Sequence, residues 1–118
     1  RGHNMRESAN DPTAHAEILA IRRACQRLGS FQLTDCEIYT SCEPCPMCIG
    51  AIYWARPKAV YYACTREDAA RAGFDDQFIY EQLDLPAEQR RIPMVRLAVE
   101  DGDAPFQAWM RSTDKIRY

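Results

Sequence analysis

Two short motifs constrain this chain more than any other feature, because they start 28 residues apart and must meet at one point. The first is His15-Ala16-Glu17 and the second is Glu43-Pro44-Cys45-Pro46-Met47-Cys48. One imidazole and two thiolates make a three-ligand zinc set. Three protein ligands leave a fourth position for water, which marks a catalytic site rather than a structural one. We expect one Zn²⁺ per chain, held by His15, Cys45 and Cys48. In a regular helix, positions i and i+2 point to nearly opposite sides. His15 and Glu17 can therefore share a site only at a first turn, end-on to the ion. Asp11-Pro12-Thr13 supplies the helix start, a capping residue followed by Pro. Cys45 and Cys48 straddle the start of the next helix, where partial positive charge favours thiolate over thiol. Glu17, left off the metal, is placed to move the protons of a water whose pKa zinc lowers toward ~7.

Each piece alone has a blander reading. Cys42-x-x-Cys45-x-x-Cys48 could begin an iron–sulfur run, but that run wants a further Cys followed by Pro, and Cys64-Thr65 does not supply it. Cys45-Pro46-Met47-Cys48 alone could be a redox pair. His15 alone could be a capping or packed histidine. Cys42 reads as core or as a neighbour of the site, since a fourth protein ligand would close the open position. Cys25, Cys36 and Cys64 read as buried small hydrophobes.

The composition is that of one ordinary globular domain over 1–118, with 47% hydrophobic and 27% charged residues. No apolar run approaches the ~20 residues of a membrane span, and no secretory signal is evident. The cysteines beside a metal-type His point to a reducing compartment, so a soluble, cytoplasmic protein is expected. Net charge is −2 with no basic block, which weighs against nucleic acid as partner.

Periodicity predicts a helix over about 13–28, closed by Gly29. A short strand at 36–40 leads into the Cys motif. A helix apolar all round follows at 46–55, stopped by Pro57. Residues 59–64 read as a buried parallel strand. Residues 66–83 read as helix in two pieces broken near Gly73, 94–99 as a third strand, and 106–111 as the start of a last helix. Alternation of strands and helices gives an α/β class.

H-x-E with P-C-x-x-C is the signature of zinc-dependent base deaminases. The chain resembles the cytidine-deaminase-like superfamily, and within it looks most like bacterial guanine deaminases. The resemblance covers essentially the whole chain. It rests on Asn10 to Glu17 and Glu43 to Cys48, shared widely. The narrower stretches are Thr40 to Glu43, Ala51 to Val60, Gly73 to Tyr80, and Pro105 to Tyr118. It implies a three-layer α/β/α fold, a central mixed sheet with helices on both faces, and hydrolytic conversion of guanine to xanthine and ammonia. It implies His15, Cys45 and Cys48 as zinc ligands and Glu17 as proton shuttle. Asp76 would contact the base and assist proton transfer, Asn4 would hydrogen-bond the purine, and Trp54 would wall the pocket. It also implies a homodimer with an exchanged C-terminal segment, in which Tyr118 closes the partner's site. A helix and two strands, roughly 35–40 residues, would precede Arg1. Several of these residues also have structural readings: Asp76 as a helix N-cap, Asn4 as a turn residue, Trp54 as core, and Tyr118 as a terminal residue.

Three other functions share parts of this pattern. A tRNA adenosine deaminase carries both motifs, but Met110 to Tyr118 has only three positive charges and one negative, and Phe74-Asp75-Asp76 departs from that branch. A deaminase of another aminoheterocycle or nucleoside (guanosine, cytosine, a triazine) differs by pocket shape. A zinc-stabilised binding module without turnover would have no need of Glu17.

Overall fold

The first helix, α1 (Ala16–Leu28), starts three residues later than the Asp11-Pro12-Thr13 signal suggests. Asp11 is occupied elsewhere: its carboxylate accepts the Thr13 N–H at 2.9 Å and the Thr13 hydroxyl at 2.6 Å, forming a turn ahead of the helix. The residue at the N-cap is instead His15, at φ −68° and ψ 155°. Gly29 ends α1 in the left-handed conformation, φ 64°, and returns its N–H to the Cys25 carbonyl.

The computed structural model describes residues 1–118. They form two compact units, Arg1–Glu81 and Gln82–Tyr118, where the sequence suggested one domain. In the first unit, strand β1 (Glu37–Cys42) is followed by helix α2 (Pro46–Ala55) and strand β2 (Ala59–Cys64). The strands pair in parallel, with Tyr39 beside Tyr61 and Cys42 beside Cys64. This is the expected β-α-β arrangement of an α/β chain. Parallel neighbours need a crossover, and α2 provides it. Two further helices follow, α3 (Arg66–Arg71) and α4 (Gln77–Leu83), separated at Gly73, whose φ of 90° suits only glycine.

The core sits between α1 and α2. Its buried apolar residues are Ala14, Ile18, Leu33, Cys48, Ile52 and Ala55. Cys48, Ile52 and Ala55 recur at three and four residues along α2 and form its inward face. Leu33 joins from the loop ahead of β1, and its N–H donates to the Ala55 carbonyl at 2.6 Å. Residues ahead of α1 lie close against it: a Cβ on Gly2 would collide with the Ala16 carbonyl and come within 2.8 Å of the Ala20 nitrogen. Met5 N–H donates to Ala14 C=O at 3.0 Å, which anchors the stretch carrying Asn4.

Two sequence expectations fail. Strand β2 reads as buried, yet its last four residues, Tyr61 to Cys64, are exposed. Tyr61 stacks on Tyr39 with ring centroids 5.1 Å apart. Apolar content alone misleads here, since a β run is buried only where another layer covers it. Cys64 is thus exposed, and Cys25 and Cys36 are only half-buried. Residues 94–99 form no strand. The alternation of Val95, Leu97 and Val99 suits a strand, but a strand also needs a neighbour for its N–H and C=O groups. The sheet contains only β1 and β2.

The second unit holds a short 3₁₀ turn (Ala87–Gln89) and helix α5 (Ala104–Arg111), with Pro105 in its first turn. Arg90 donates to the Gln82 carbonyl at 3.0 Å and Arg91 N–H to the Gln82 side chain at 2.6 Å. No helix of the chain is long and apolar enough to cross a membrane.

The small core makes each member count. Leu33→Ala should lower the unfolding free energy by about 2–3 kcal/mol, the usual cost of a cavity at a buried leucine. Denaturant unfolding of the zinc-loaded protein measures it.

Candidate metal centre and cavity

Helix α2 begins as α1 does. Its N-cap is Cys45, at φ −68° and ψ 168°, with Pro46 in the first turn. Cys48 lies three residues on and is fully buried. At an N-cap the backbone is still extended, so the side chain sits ahead of the helix rather than around it. His15 and Cys45, each an N-cap, are brought face to face, and Cys48 reaches the same point from the first turn of α2. The same geometry lets Glu17, in the first turn of α1, share the site with His15 despite their i, i+2 spacing.

The His15 Nδ1 atom lies 3.5 Å from Cys45 Sγ and 3.6 Å from Cys48 Sγ. All three ligand atoms fall within 4.8 Å of one another. A tetrahedral zinc, with Zn–S about 2.3 Å and Zn–N about 2.0 Å, separates a nitrogen and a sulfur ligand by about 3.6 Å. The spacing and the donor types both fit this ion. Cys42 stays outside the set, with its sulfur directed to the Thr65 carbonyl at 3.7 Å. Burial pushes its thiol pKa up, which keeps it a thiol.

Electrostatics divide the two ligand cysteines. The Cys45 thiol is lowered to about 5, chiefly because the Cys48 S–H donates to it; the Cys48 and Met47 N–H groups and His15 add to the effect. Cys48 is pushed up, chiefly by that same shared proton, then by burial and by Glu17. Without a metal, the pair therefore holds one proton between the two sulfurs. Metal binding must displace it.

A cavity of about 530 Å³ opens beside this cluster. Asn4, His15, Glu17, Cys45 and Asp76 all line it. The Thr40 hydroxyl, in β1, donates to the Cys42 carbonyl at 3.1 Å and lies 3.5 Å from Glu17 Oε1. Asn4 accepts the Arg6 N–H through Oδ1 at 3.0 Å, an Asx turn that leaves the amide NH₂ as the group to offer a ligand. At the start of α4 it is Asp75, not Asp76, that takes the capping bond, accepting the Gln77 N–H at 2.8 Å. The Asp76 carboxylate is thus not used for the cap.

Trp54 is not on this cavity. Helical periodicity puts it opposite the buried Cys48, Ile52 and Ala55 face, and it is 62% exposed. Tyr118 belongs to the second unit, in a separate hollow with Pro105, Phe106 and Trp109. Glu43 and Met47, members of the second motif to which sequence reasoning gave no role, also line the cavity, as do Arg6 and Arg66, which no motif signals.

Residues 1–64 match the family described as the cytidine and deoxycytidylate deaminase zinc-binding region. The chain belongs to this deaminase family. It is 59% identical over 117 residues to a guanine deaminase of Bacillus subtilis, covering 99% of this chain and 75% of that protein. The solved structure of a Bacillus subtilis guanine deaminase superposes with a TM-score of 0.96, covering 99% of this chain and 74% of that one, again at 59% identity. A tRNA-specific adenosine deaminase of Aquifex aeolicus is 38% identical over 102 residues, covering 86% of this chain and 65% of its own length. The chain is thus a zinc-dependent hydrolase of the deaminase family, with an α/β fold like theirs.

Cys45→Ala should abolish stoichiometric zinc and lower thermal stability, because binding of the metal is coupled to folding. Metal analysis together with a melting curve checks this. A variant that still bound one zinc per chain would remove Cys45 from the ligand set.

Proposed function

We infer that this protein deaminates guanine hydrolytically, giving xanthine and ammonia. The observation that carries this is the 59% identity to guanine deaminase across 99% of the chain. Charge supports a neutral base over RNA or a nucleotide. The cavity wall carries four carboxylates (Glu17, Glu43, Asp75 and Asp76) against two guanidiniums, Arg6 and Arg66. A polyanion would meet net repulsion there.

His15, Cys45 and Cys48 would hold one Zn²⁺. When bound, zinc supplies the Lewis acidity that makes water nucleophilic near neutral pH. Glu17 is the proton shuttle. It takes one proton from water as the water oxygen bonds to the ring carbon bearing the amino group, and gives it to the adjacent ring nitrogen. It then moves the second proton to the amine, the C–N bond breaks, ammonia leaves and a carbonyl remains. A carboxylate bound to the metal could not do this, so its place beside the ligand set, 3.5 Å from the Thr40 hydroxyl, suits the role. Asp76 accepts from the amino side of the base and assists its protonation. Asn4 donates its amide NH₂ to a purine acceptor.

Both units belong to one deaminase in this reading, and the assembly is a homodimer. Support comes from the second unit, where Val95, Leu97, Val99, Phe106 and Met110 are each more than half exposed, more apolar surface than a monomer usually leaves. Exchange of that C-terminal segment would bring Tyr118 to the partner's site. The six cysteines are all free, which suits a cytoplasmic setting.

Zinc-loaded protein should turn over guanine, followed by ammonia release and the guanine-to-xanthine absorbance change, with guanosine and tRNA unreactive. Glu17→Gln should keep zinc and fold while kcat falls about 10²- to 10⁴-fold, the usual share of a general acid–base group. Near-normal turnover by that variant would overturn the mechanism.

A further inference from the structure

Helix α4 follows directly on Asp76, yet none of its seven residues is buried. A helix without a buried face needs other ties to hold a fixed position. One such tie is Arg66, the first residue of α3, whose guanidinium carbon lies 4.4 Å from the centroid of the Tyr80 ring in α4. Its Nε lies 3.9 Å from Glu43 Oε2 and 3.6 Å from Oε1 of its chain neighbour Glu67, so Glu43 is the partner that reaches across to another element. Glu43 stands two residues ahead of Cys45, with its N–H fixed to the Cys64 carbonyl at 2.8 Å. Arg66 therefore spans two walls of one cavity, the loop that leads to the metal ligands and the helix that follows Asp76. It lines that cavity with Asp76, Phe78 and Ile79.

The base of this bridge is firm. Thr65 and Asp68 form a reciprocal capping box, the Asp68 N–H donating to Thr65 Oγ1 at 3.2 Å and the Thr65 N–H to Asp68 Oδ2 at 2.9 Å. Arg66 thus leaves the chain from a held position. The link to α4 along the backbone is weaker: it runs through Gly73 in the left-handed region, with Phe74 N–H returning to Ala69 C=O at 2.9 Å. The chemistry of the side chain also matters. A planar guanidinium can stack on a ring and still present an N–H edge to a carboxylate, whereas an ammonium offers a point charge.

We propose that Arg66 is a positioning residue, which clamps Tyr80 and Glu43 together and so fixes Asp76 over the reacting end of the cavity. The functional consequence rests on the purine-base reading given above; the mechanical one does not. Arg66 acts through Asp76 and Glu43 and need not touch the substrate.

Two measurements on full-length, zinc-loaded protein test this. In hydrogen exchange, Arg66→Leu and Tyr80→Leu should each speed exchange of the amides of residues 77–83 about five- to tenfold, with α1 and α2 unchanged. That factor is the worth of the Arg66–Tyr80 cation–π contact, which both substitutions remove. In guanine turnover, each variant should lose about five- to tenfold in kcat/KM per bound zinc, mostly as a higher KM. The double variant should be no worse than either single, because both break one contact. Arg66→Lys should recover part of the loss. In an Asp76→Asn background, Arg66→Leu should cost little more. A merely structural arginine would lower the melting temperature and leave KM per zinc unmoved, and that result would overturn the proposal. Additive losses, or a near-neutral Tyr80→Leu, would show Arg66 contacting the substrate itself and overturn it too. If wild-type protein did not turn over guanine, the purine-base reading would fail, and the exchange measurement would still decide the clamp.

Discussion

The rest of this structure depends on two helix N-caps that carry metal ligands instead of capping groups. A Ser, Thr or Asp at an N-cap satisfies the orphan N–H groups of the first turn. His15 makes no such bond. Nor does Cys45; its thiol is lowered to about 5 chiefly by the Cys48 S–H, with the Cys48 and Met47 N–H groups and His15 adding to the effect. The helix start that normally needs a cap is used here to stabilise negative sulfur. Placing the ligands at N-caps also fixes the relative position of α1 and α2, since both helices must begin at the same point.

The core repeats this dependence. Its largest fully buried side chain is only a cysteine, Cys48, one of the candidate ligands. Around it stand Ala14, Ile18, Leu33, Ile52 and Ala55, which remove little apolar surface from water at about 25 cal/mol per Å². The centre of the core and the centre of the chemistry are therefore the same atom. Loss of the ion would leave His15, Cys45 and Cys48 unliganded where the starts of α1 and α2 meet. Folding and metal loading are consequently expected as one event rather than two.

The metal cluster could be read from sequence because it obeys local rules: spacing, a helix start and the softness of sulfur. The ends of α1 and α3 at Gly29 and Gly73 could be read for the same reason, since each needs φ above zero. Non-local features could not. Whether β2 is covered depends on a layer that its own residues do not encode, and whether 94–99 pairs depends on a strand edge elsewhere. Asp75 and Asp76 look alike in sequence, and only the structure shows that Asp75 accepts the Gln77 N–H. Arg66 gave no signal, because its partners Glu43 and Tyr80 lie 23 and 14 residues away, on two different elements.

In the proposed function, chemistry and selectivity fall to different stretches of the chain. Glu17, the proposed shuttle, and the three candidate ligands lie within residues 15–48, on N-caps and first turns set by backbone geometry. Such a centre could attack any ring carbon that bears an amino group and is presented to it. Presentation would then fall to the far wall, residues 66–79, built from two short helices with no buried side chain. A pocket wall held by side-chain bridges can change its shape without disturbing the metal. A wall held by the core could not, because the core includes the candidate ligand Cys48. Separating the two lets one zinc centre serve different bases through changes in α3 and α4. It also accounts for a wall rich in charged groups: carboxylates and guanidiniums can fix its shape by pairing with each other, where too few apolar residues remain to do so by burial.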